Sequence, residues 1–315
     1  MPNEVSTPNS GADEARAAFI ERRRSGIGGS DVGVIMGINP WKTPYQLWLD
    51  KTGQETVQKE NAYQHFGLML EQVIADEFAE RNQVKVQRRN NMFHKEGTPL
   101  IANIDRYIVG GGILECKTCD KWAAGKFGED GTDDVPETYL LQVQHYMYVT
   151  GIHAAFLAVL IGGNEYRQYE IPYNAELAEF CARKCCEWWE EYVTGNTPPP
   201  ATMRDNLGEY YRAVTGKTVT ATPYILDRLA LIRDRKNTIK EQETELDEML
   251  AEIKLFAGEA ETILGTDGKP VATWKQSKSR SVTDWKGLAE SFQPTREMIE
   301  KFTTEKAGAR PLLVK

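Results

Sequence analysis

Leu100-Ile101-Ala102-Asn103-Ile104-Asp105-Arg106-Tyr107-Ile108-Val109-Gly110-Gly111-Gly112-Ile113-Leu114-Glu115-Cys116-Lys117 is the stretch on which the reading of this chain turns. Apolar Leu100-Ile101 lead into Asp105, three consecutive glycines turn the chain, and Ile113 to Lys117 read as a short buried strand. Side chains alternate across a strand, so Glu115 and Lys117 share one face and Cys116 takes the other. Two carboxylates and an ammonium group brought together across a hairpin suit metal-assisted cleavage of a phosphodiester. Carboxylate oxygen holds a hard divalent cation, and the lysine orients or polarises the attacking water. The competing reading is an Asp near a turn and a Glu/Lys pair on an exposed strand face. The spacing by itself leaves that choice open, and the rest of the chain bears on it.

The 315 residues, 41% apolar and 10% aromatic, are enough for one large core and an accessory region. No apolar run approaches the ~20 residues that cross a bilayer, so no membrane association is expected. Met1 to Glu14 is polar and acid-containing with no apolar h-region, which does not read as a secretory signal. Cys116, Cys119, Cys181, Cys185 and Cys186 are odd in number and suggest no pairing framework, which points to a reduced, cytosolic protein. The net charge of −8 does not advertise nucleic-acid binding. Basic residues nevertheless cluster at Arg22-Arg23-Arg24 and at Lys85, Arg88 and Arg89, so any DNA contact belongs to one face or channel.

Residues 1–14, rich in Asn, Ser, Pro and Glu, read as a disordered tail. Ala15 to Arg24 is helical in pattern and is broken by Ser25-Gly26-Ile27-Gly28-Gly29-Ser30-Asp31; Val32 to Met36 starts a short helix, and Thr43-Pro44 starts another. Asn61 to Arg81 predicts an amphipathic helix with Phe66, Leu70, Val73, Ile74 and Phe78 along one stripe. Val84 to Phe93, Pro99 to Ile108 and Gly112 to Cys119 are expected strands, and Lys121 to Gly131 a mobile loop. Pro136 to Thr150 predicts a helix, Ala154 to Ile161 and Tyr166 to Ile171 a hairpin, and Ala175 to Val193 a long helix. The Pro198-Pro199-Pro200 run marks the expected boundary between a core over 15–197 and a C-terminal extension over 201–315. In the extension, Tyr224 to Phe256 has apolar residues at helical spacing among many charges, as in a helical hairpin or a helix packed on a neighbouring subunit. Glu261 to Ser281 reads as two strands, followed by a polar helix and a tail. The fold class is α/β (α+β), a small mixed sheet flanked by helices, with a helical and β-hairpin extension.

Five segments occur in the order found in the YqaJ-like viral recombinase family, which is related to phage lambda exonuclease and belongs to the PD-(D/E)xK nucleases. They are Arg23-Arg24-Ser25-Gly26-Ile27-Gly28-Gly29-Ser30-Asp31, Gly67-Leu68-Met69-Leu70-Glu71, Asp105, Glu115-Cys116-Lys117, and Tyr139-Leu140-Leu141-Gln142-Val143-Gln144-His145-Tyr146-Met147. The chain resembles that family over roughly residues 20 to 195, departing at Ile104, where proline is frequent in the family but no ligand is supplied. The resemblance implies a restriction-endonuclease-like core. It implies Asp105, Glu115 and the Cys116 carbonyl as ligands of Mg²⁺, with Mn²⁺ as substitute, Glu71 as an outer or water-mediated ligand, and Lys117 beside the scissile phosphate.

The same resemblance implies a pocket for the 5′-terminal phosphate at Arg23, Arg24 and Ser30; the local pattern fits equally a helix end followed by an N-cap at Ser30 or Asp31. Gln142 and Tyr146 are one helical turn apart, Tyr139 shares their face, and an amide and a phenol there can hold the substrate backbone or a water. His145 reads as a packing residue. Cys116-Lys117-Thr118-Cys119 has CxxC spacing, but Cys181, Cys185 and Cys186 do not complete an iron–sulfur pattern, so all five cysteines read as packing and no cluster is expected. The activity implied is a Mg²⁺-dependent 5′→3′ exonuclease on linear duplex DNA that leaves 3′ overhangs. The implied setting is a homotrimeric ring in the bacterial cytoplasm, of phage or prophage origin, acting with a single-strand annealing protein. The alternatives are a RecB-like or restriction-type endonuclease with the same ligands, which would cut closed circles, and an inactive DNA-binding or assembly module.

Overall fold

A computed structural model describes residues 20–54, 62–89, 91–211, 214–304 and 311–314. The expected tail over residues 1–14 lies outside them. The chain divides into two compact units, Met1–Tyr210 and Tyr211–Lys315.

The first unit is built on a five-stranded sheet of β1 (Val86–Gln87), β4 (Arg106–Ile108), β5 (Gly112–Cys119), β6 (Ala154–Ile161) and β7 (Glu165–Ile171), in the order β1-β4-β5-β6-β7. β5 and β6 are parallel and every other neighbour is antiparallel, so the sheet is mixed. The predicted hairpin is present: Ile108 pairs with Gly112 and Arg106 with Leu114, and the turn between them runs through Gly110 and Gly111, both at φ 115°. Backbone at positive φ is open to glycine and strained for nearly every other residue, which is why the glycine run sits there. A second, two-stranded ladder joins β2 (Phe93–His94) to β3 (Ile101–Ala102).

Helices cover both faces of the sheet. The parallel β5–β6 pair needs a crossover, and α4 (Glu137–Thr150) supplies it, closed by Gly151 at φ 70°. Ile113, Leu157 and Val159 of the sheet join Val143 and Met147 of α4 in the main core, with Val32 of α1 (Gly29–Ile35), Leu47 and Trp48 of α2 (Pro44–Lys51), and Cys181 and Cys185 of α5 (Ala175–Trp188). On the other face, Leu114, Cys116 and Ala158 pack against Ile74, Ala75 and Phe78 of α3 (Ala62–Asn82). Strand alternation therefore holds: successive residues of β5 serve different layers, and the strand is apolar on both sides because both are covered. α2 starts as its sequence suggests, with Gln46 N donating to Thr43 Oγ1, Thr43 N donating to Gln46 Oε1, and Pro44 in the first turn.

Several expectations are corrected. Phe66 and Val73 of the supposed α3 stripe are 58% and 55% exposed, and only Ile74 and Phe78 of its members are buried. Val84 to Phe93 is not one strand; it holds only β1 and the start of β2. The loop after β5 begins with a 3₁₀ helix, Lys121–Lys126, and the helix expected to reach Val193 ends at Trp188, continuing as a π-helical turn over Trp189–Thr194. The division between the two compact units falls after Tyr210. Residues beyond the Pro198–Pro200 run, including the one-turn helix α6 (Leu207–Tyr210), belong to the first unit: Arg204 donates to the Asn39 carbonyl (2.9 Å), Thr43 bonds Asp205, and Tyr45 meets Tyr210 edge-on, with ring centroids 4.6 Å apart.

The second unit contains α7 (Pro223–Ala257), capped by Thr222 accepting from Ile225 N, then the hairpin β8 (Thr262–Leu264) and β9 (Pro270–Thr273), and the short helices α8 (Trp285–Ser291) and α9 (Arg296–Phe302). No helix among the described residues is long and apolar enough to cross a membrane.

Candidate active site

The hairpin register places Asp105, one residue before the Arg106–Leu114 pair, across from Glu115. Its Oδ2 accepts from the Cys116 backbone N at 2.8 Å, which pins the carboxylate to β5. Glu115 is only 2% exposed. Its Oε1 receives two donors, Lys117 Nζ at 2.5 Å and Gln142 Nε2 at 2.6 Å, and Gln142 Nε2 also lies 2.8 Å from the Tyr146 hydroxyl. The other oxygen, Glu115 Oε2, is buried without a hydrogen-bond partner among the described residues. A buried carboxylate oxygen left unpaired costs free energy, so its persistence calls for an explanation.

Electrostatics tell the same story. Burial, then the neighbouring Glu115 charge, pushes the Asp105 pKa well above the usual carboxylate range, against the pull of Lys117. Burial works against the Lys117 ammonium, yet Glu115 and Asp105 together hold its pKa above the ordinary lysine value. Two acids face one base, and the deficit is one positive charge. The Lys117 ammonium also lies 5.1 Å from the Tyr139 ring centroid, a cation–π contact that brings the third predicted α4 residue to the cluster.

Glu71 is placed differently. It forms an ion pair with Arg106, whose guanidinium also donates to the Asp105 carbonyl (2.7 Å) and to Gln72 Oε1 (2.9 Å). Glu71 is close enough to raise the Asp105 pKa, but it is held by Arg106. Arg106, almost fully buried, went unremarked in the sequence. Alternation was the available signal, since the residue after Asp105 must face the other side of the sheet, towards α3.

The Arg23–Asp31 segment sits beside α4 because Gly29 lets it. A Cβ at Gly29 would come within 2.6 Å of the Tyr146 ring and 3.0 Å of the Gln142 side chain. Arg23 donates to Ser30 Oγ at 3.1 Å. Arg24 turns elsewhere, to Glu21 (3.2 Å) and Asp50 (3.7 Å). Neither Ser30 nor Asp31 is the N-cap of α1; Gly28 is, and Gly28 N donates back to Asp31 Oδ2 at 3.0 Å. Beneath the segment Lys51 Nζ reaches both Asp31 Oδ2 (2.7 Å) and the Arg23 carbonyl (2.8 Å). Sequence reasoning missed this buried pair, whose members are twenty residues apart and carry no local pattern.

His145 is buried, with Nε2 2.9 Å from the Ile101 carbonyl. All five cysteines are free thiols; Cys181 and Cys185 belong to the main core and Cys116 to the α3 layer. Among the described residues no group of three or more His, Cys, Asp and Glu side chains is gathered as a metal cluster. The donor set at the hairpin is smaller, the two carboxylates of Asp105 and Glu115, and carboxylate oxygen suits a hard divalent cation that keeps waters of its own. The unpartnered Glu115 oxygen and the disfavoured Asp105 charge are what such a cation would satisfy.

The fold is α/β, a mixed sheet covered by helices, and its β4–β5 hairpin gathers two acids, one just before β4 and one on β5, with a lysine two residues beyond the second. The YqaJ-like viral recombinase domain matches residues 18–153. The chain is 36% identical over 312 residues, 95% of both sequences, to the Bacillus subtilis (strain 168) protein described as uncharacterized protein YqaJ. It belongs to the YqaJ-like viral recombinase family. A segment of 143 residues, 42% of the chain, is 26% identical to 26% of protein R354 of Acanthamoeba polyphaga mimivirus. Among solved structures, similarity extends to an alkaline exonuclease from Laribacter hongkongensis (16% identity, 57% of this chain and 93% of that one, TM-score 0.48). It extends also to a phage-related exonuclease from Haemophilus somnus 129PT (12% identity, 55% and 96%, TM-score 0.41).

Proposed function

We propose that this protein is a metal-dependent deoxyribonuclease that digests one strand of linear duplex DNA from its 5′ end, leaving 3′ overhangs. The observation that carries the reading is the carboxylate pair at the hairpin, one charge short of balance, with the Glu115 oxygen buried and unpartnered. Membership of the YqaJ-like viral recombinase family supports DNA as the substrate class, and the 5′ polarity is part of the proposal. Asp105, Glu115 and the Cys116 carbonyl would hold Mg²⁺, or Mn²⁺ in its place, with Glu71 acting at a distance through water. The bound ion would neutralise the phosphate and lower the pKa of its water.

The side chains divide the remaining work. Lys117, kept protonated by its acidic neighbours, places a positive charge where negative charge develops on the phosphate. It enters as an ammonium and not as a neutral base. Gln142 fixes the rotamer of Glu115 and links it to Tyr146, so that the second oxygen of Glu115 stays aimed into the site. Tyr139 lies beside Lys117 at the α4 face and would support the strand backbone. Arg23 and Ser30, already bonded to each other, form the pocket for the terminal phosphate, and Arg24 is occupied by Glu21 and Asp50. Residues 15–197 would carry this activity and 201–315 an accessory role. A ring of three subunits around DNA, a single-strand annealing partner and action in the host cytoplasm belong to the same reading.

The test is digestion of terminally labelled linear and closed circular duplexes with and without Mg²⁺. The expected result is Mg²⁺-dependent loss from 5′ ends of linear DNA, faster with a 5′ phosphate than with a 5′ hydroxyl, and intact circles. Cleavage of circles would identify an endonuclease, release from 3′ ends would reverse the polarity, and equal rates at both end types would remove Arg23 and Ser30 from the phosphate.

A further inference from the structure

Ile225, Ile232, Ile239, Leu246 and Ile253 recur at every seventh position of α7, a helix of 35 residues. All five are 38% to 53% exposed. Isolated helices are marginal in water and draw most of their stability from packing, so a long helix with an apolar line left in solvent is a helix without its partner. A spacing of seven is the period of a coiled-coil seam; a straight helix drifts away from it by ~20° per heptad.

Charge selects the partner and its direction. Residues 223–238 carry a net charge of +2, and residues 240–257 a net charge of −4. Two copies of α7 side by side in parallel would set like halves together, whereas an antiparallel pair sets the basic half of each against the acidic half of the other. The apolar line has the matching symmetry. It is centred on Ile239, so a twofold axis there places Ile225 opposite Ile253, Ile232 opposite Leu246, and Ile239 opposite its own copy. The same operation places Arg235 opposite Glu243, four residues to either side of the axis.

We propose that α7 is a self-association surface, and that it pairs antiparallel with α7 of a second copy of this chain. The contact is isologous, since each residue meets its symmetry mate's partner, and it therefore joins copies in twos. It cannot close a threefold ring. If the first unit does form one, the α7 contact links one ring to another. The inference stands on the second unit alone and does not depend on the nuclease reading.

Sedimentation of the full chain over a concentration series tests it. The expected species are reversible dimers, or hexamers where the first unit also trimerises. Arg235→Glu and Glu243→Arg should each raise the dissociation constant of the dimer step tenfold or more, because each sets like charges across the axis. The double exchange should restore the constant to within a few-fold of the original, a rescue that parallel pairing does not predict. Ile239→Asp, which places two carboxylates on the axis, should abolish the step. Far-ultraviolet circular dichroism on each variant separates lost pairing from lost folding. Three results would overturn the proposal: only monomers or trimers at all concentrations, self-association indifferent to all of these changes, or a double exchange no better than either single one. Binding of α7 to a different protein while the chain alone stays monomeric belongs to the first of these.

Discussion

Two buried acidic centres, one at Asp31 and one at the β4–β5 hairpin, have opposite electrostatic outcomes. At one, Asp31 meets Lys51 at 2.7 Å and accepts from Gly28 N, so charge and hydrogen bonds both close. Burial alone would raise the Asp31 pKa, but Lys51 and Arg23 outweigh it and bring it to about 2. At the other, Asp105 and Glu115 share a single lysine, one oxygen stays unpaired, and the Asp105 pKa moves up instead. The first centre is a finished ion pair that ties Arg23 and α1 to α2. The second, on the proposed reading, would be completed by a further cation. Burial is common to both, so the count of opposite charges decides which centre is structural and which is open to a ligand.

Changes at the second centre should reach catalysis, and changes at the first should reach stability. Asp105→Ala is expected to lower Mg²⁺-dependent cleavage by roughly a thousandfold or more while leaving DNA retention in gel-shift assays largely intact, since phosphate contacts supply most affinity. Lys51→Met should cost about 3–5 kcal/mol in urea unfolding, because it strands Asp31 as a buried charge. The acid limb of the stability curve gives a finer separation. A folded-state pKa of about 2 against an unfolded value of 3.8 means that Asp31 stabilises above pH 4 and that this support is lost as pH falls from about 4 to about 2. The loss amounts to about 2 kcal/mol, and the slope should be flatter in that window for Asp31→Asn.

Asp105 has the reverse sign. Its folded pKa is raised, so without metal the folded state loses stability as pH climbs from the ordinary carboxylate range towards the raised value. In chelator at neutral pH, Asp105→Asn should therefore melt a few degrees above the unaltered chain, and Mg²⁺ should raise the melting point of the latter alone. The smallest effect is expected at the phosphate pocket, where Arg23→Ala should reduce the preference for 5′-phosphorylated over 5′-hydroxyl ends by about tenfold.

Much of this was legible in the sequence where the signal is local. The glycine run fixes the β4–β5 turn, the alternation of Ile113 to Lys117 fixes which side chains meet α4, and the spacing of Gln142 and Tyr146 fixes their common face. Contacts made across the fold were not legible. Lys51 carries no mark that it will lie under Arg23 and Asp31, and Glu71 gives no sign that Arg106 will claim it. The α3 stripe misled because periodicity reports which face is apolar, not how much of that face the sheet beneath can cover. The heptads of α7 were visible as helical spacing, but their symmetry about Ile239 acquires meaning only once one unbroken helix spans Pro223–Ala257 with that line exposed.

Manganese binding followed by electron paramagnetic resonance, in the unaltered protein and in Asp105→Asn, tests most directly whether the second centre is a cation site. Loss of the free-ion signal with the unaltered chain, displaced by excess Mg²⁺ and absent with Asp105→Asn, is the result this account predicts. Equal uptake by both proteins, or none by either, would contradict it.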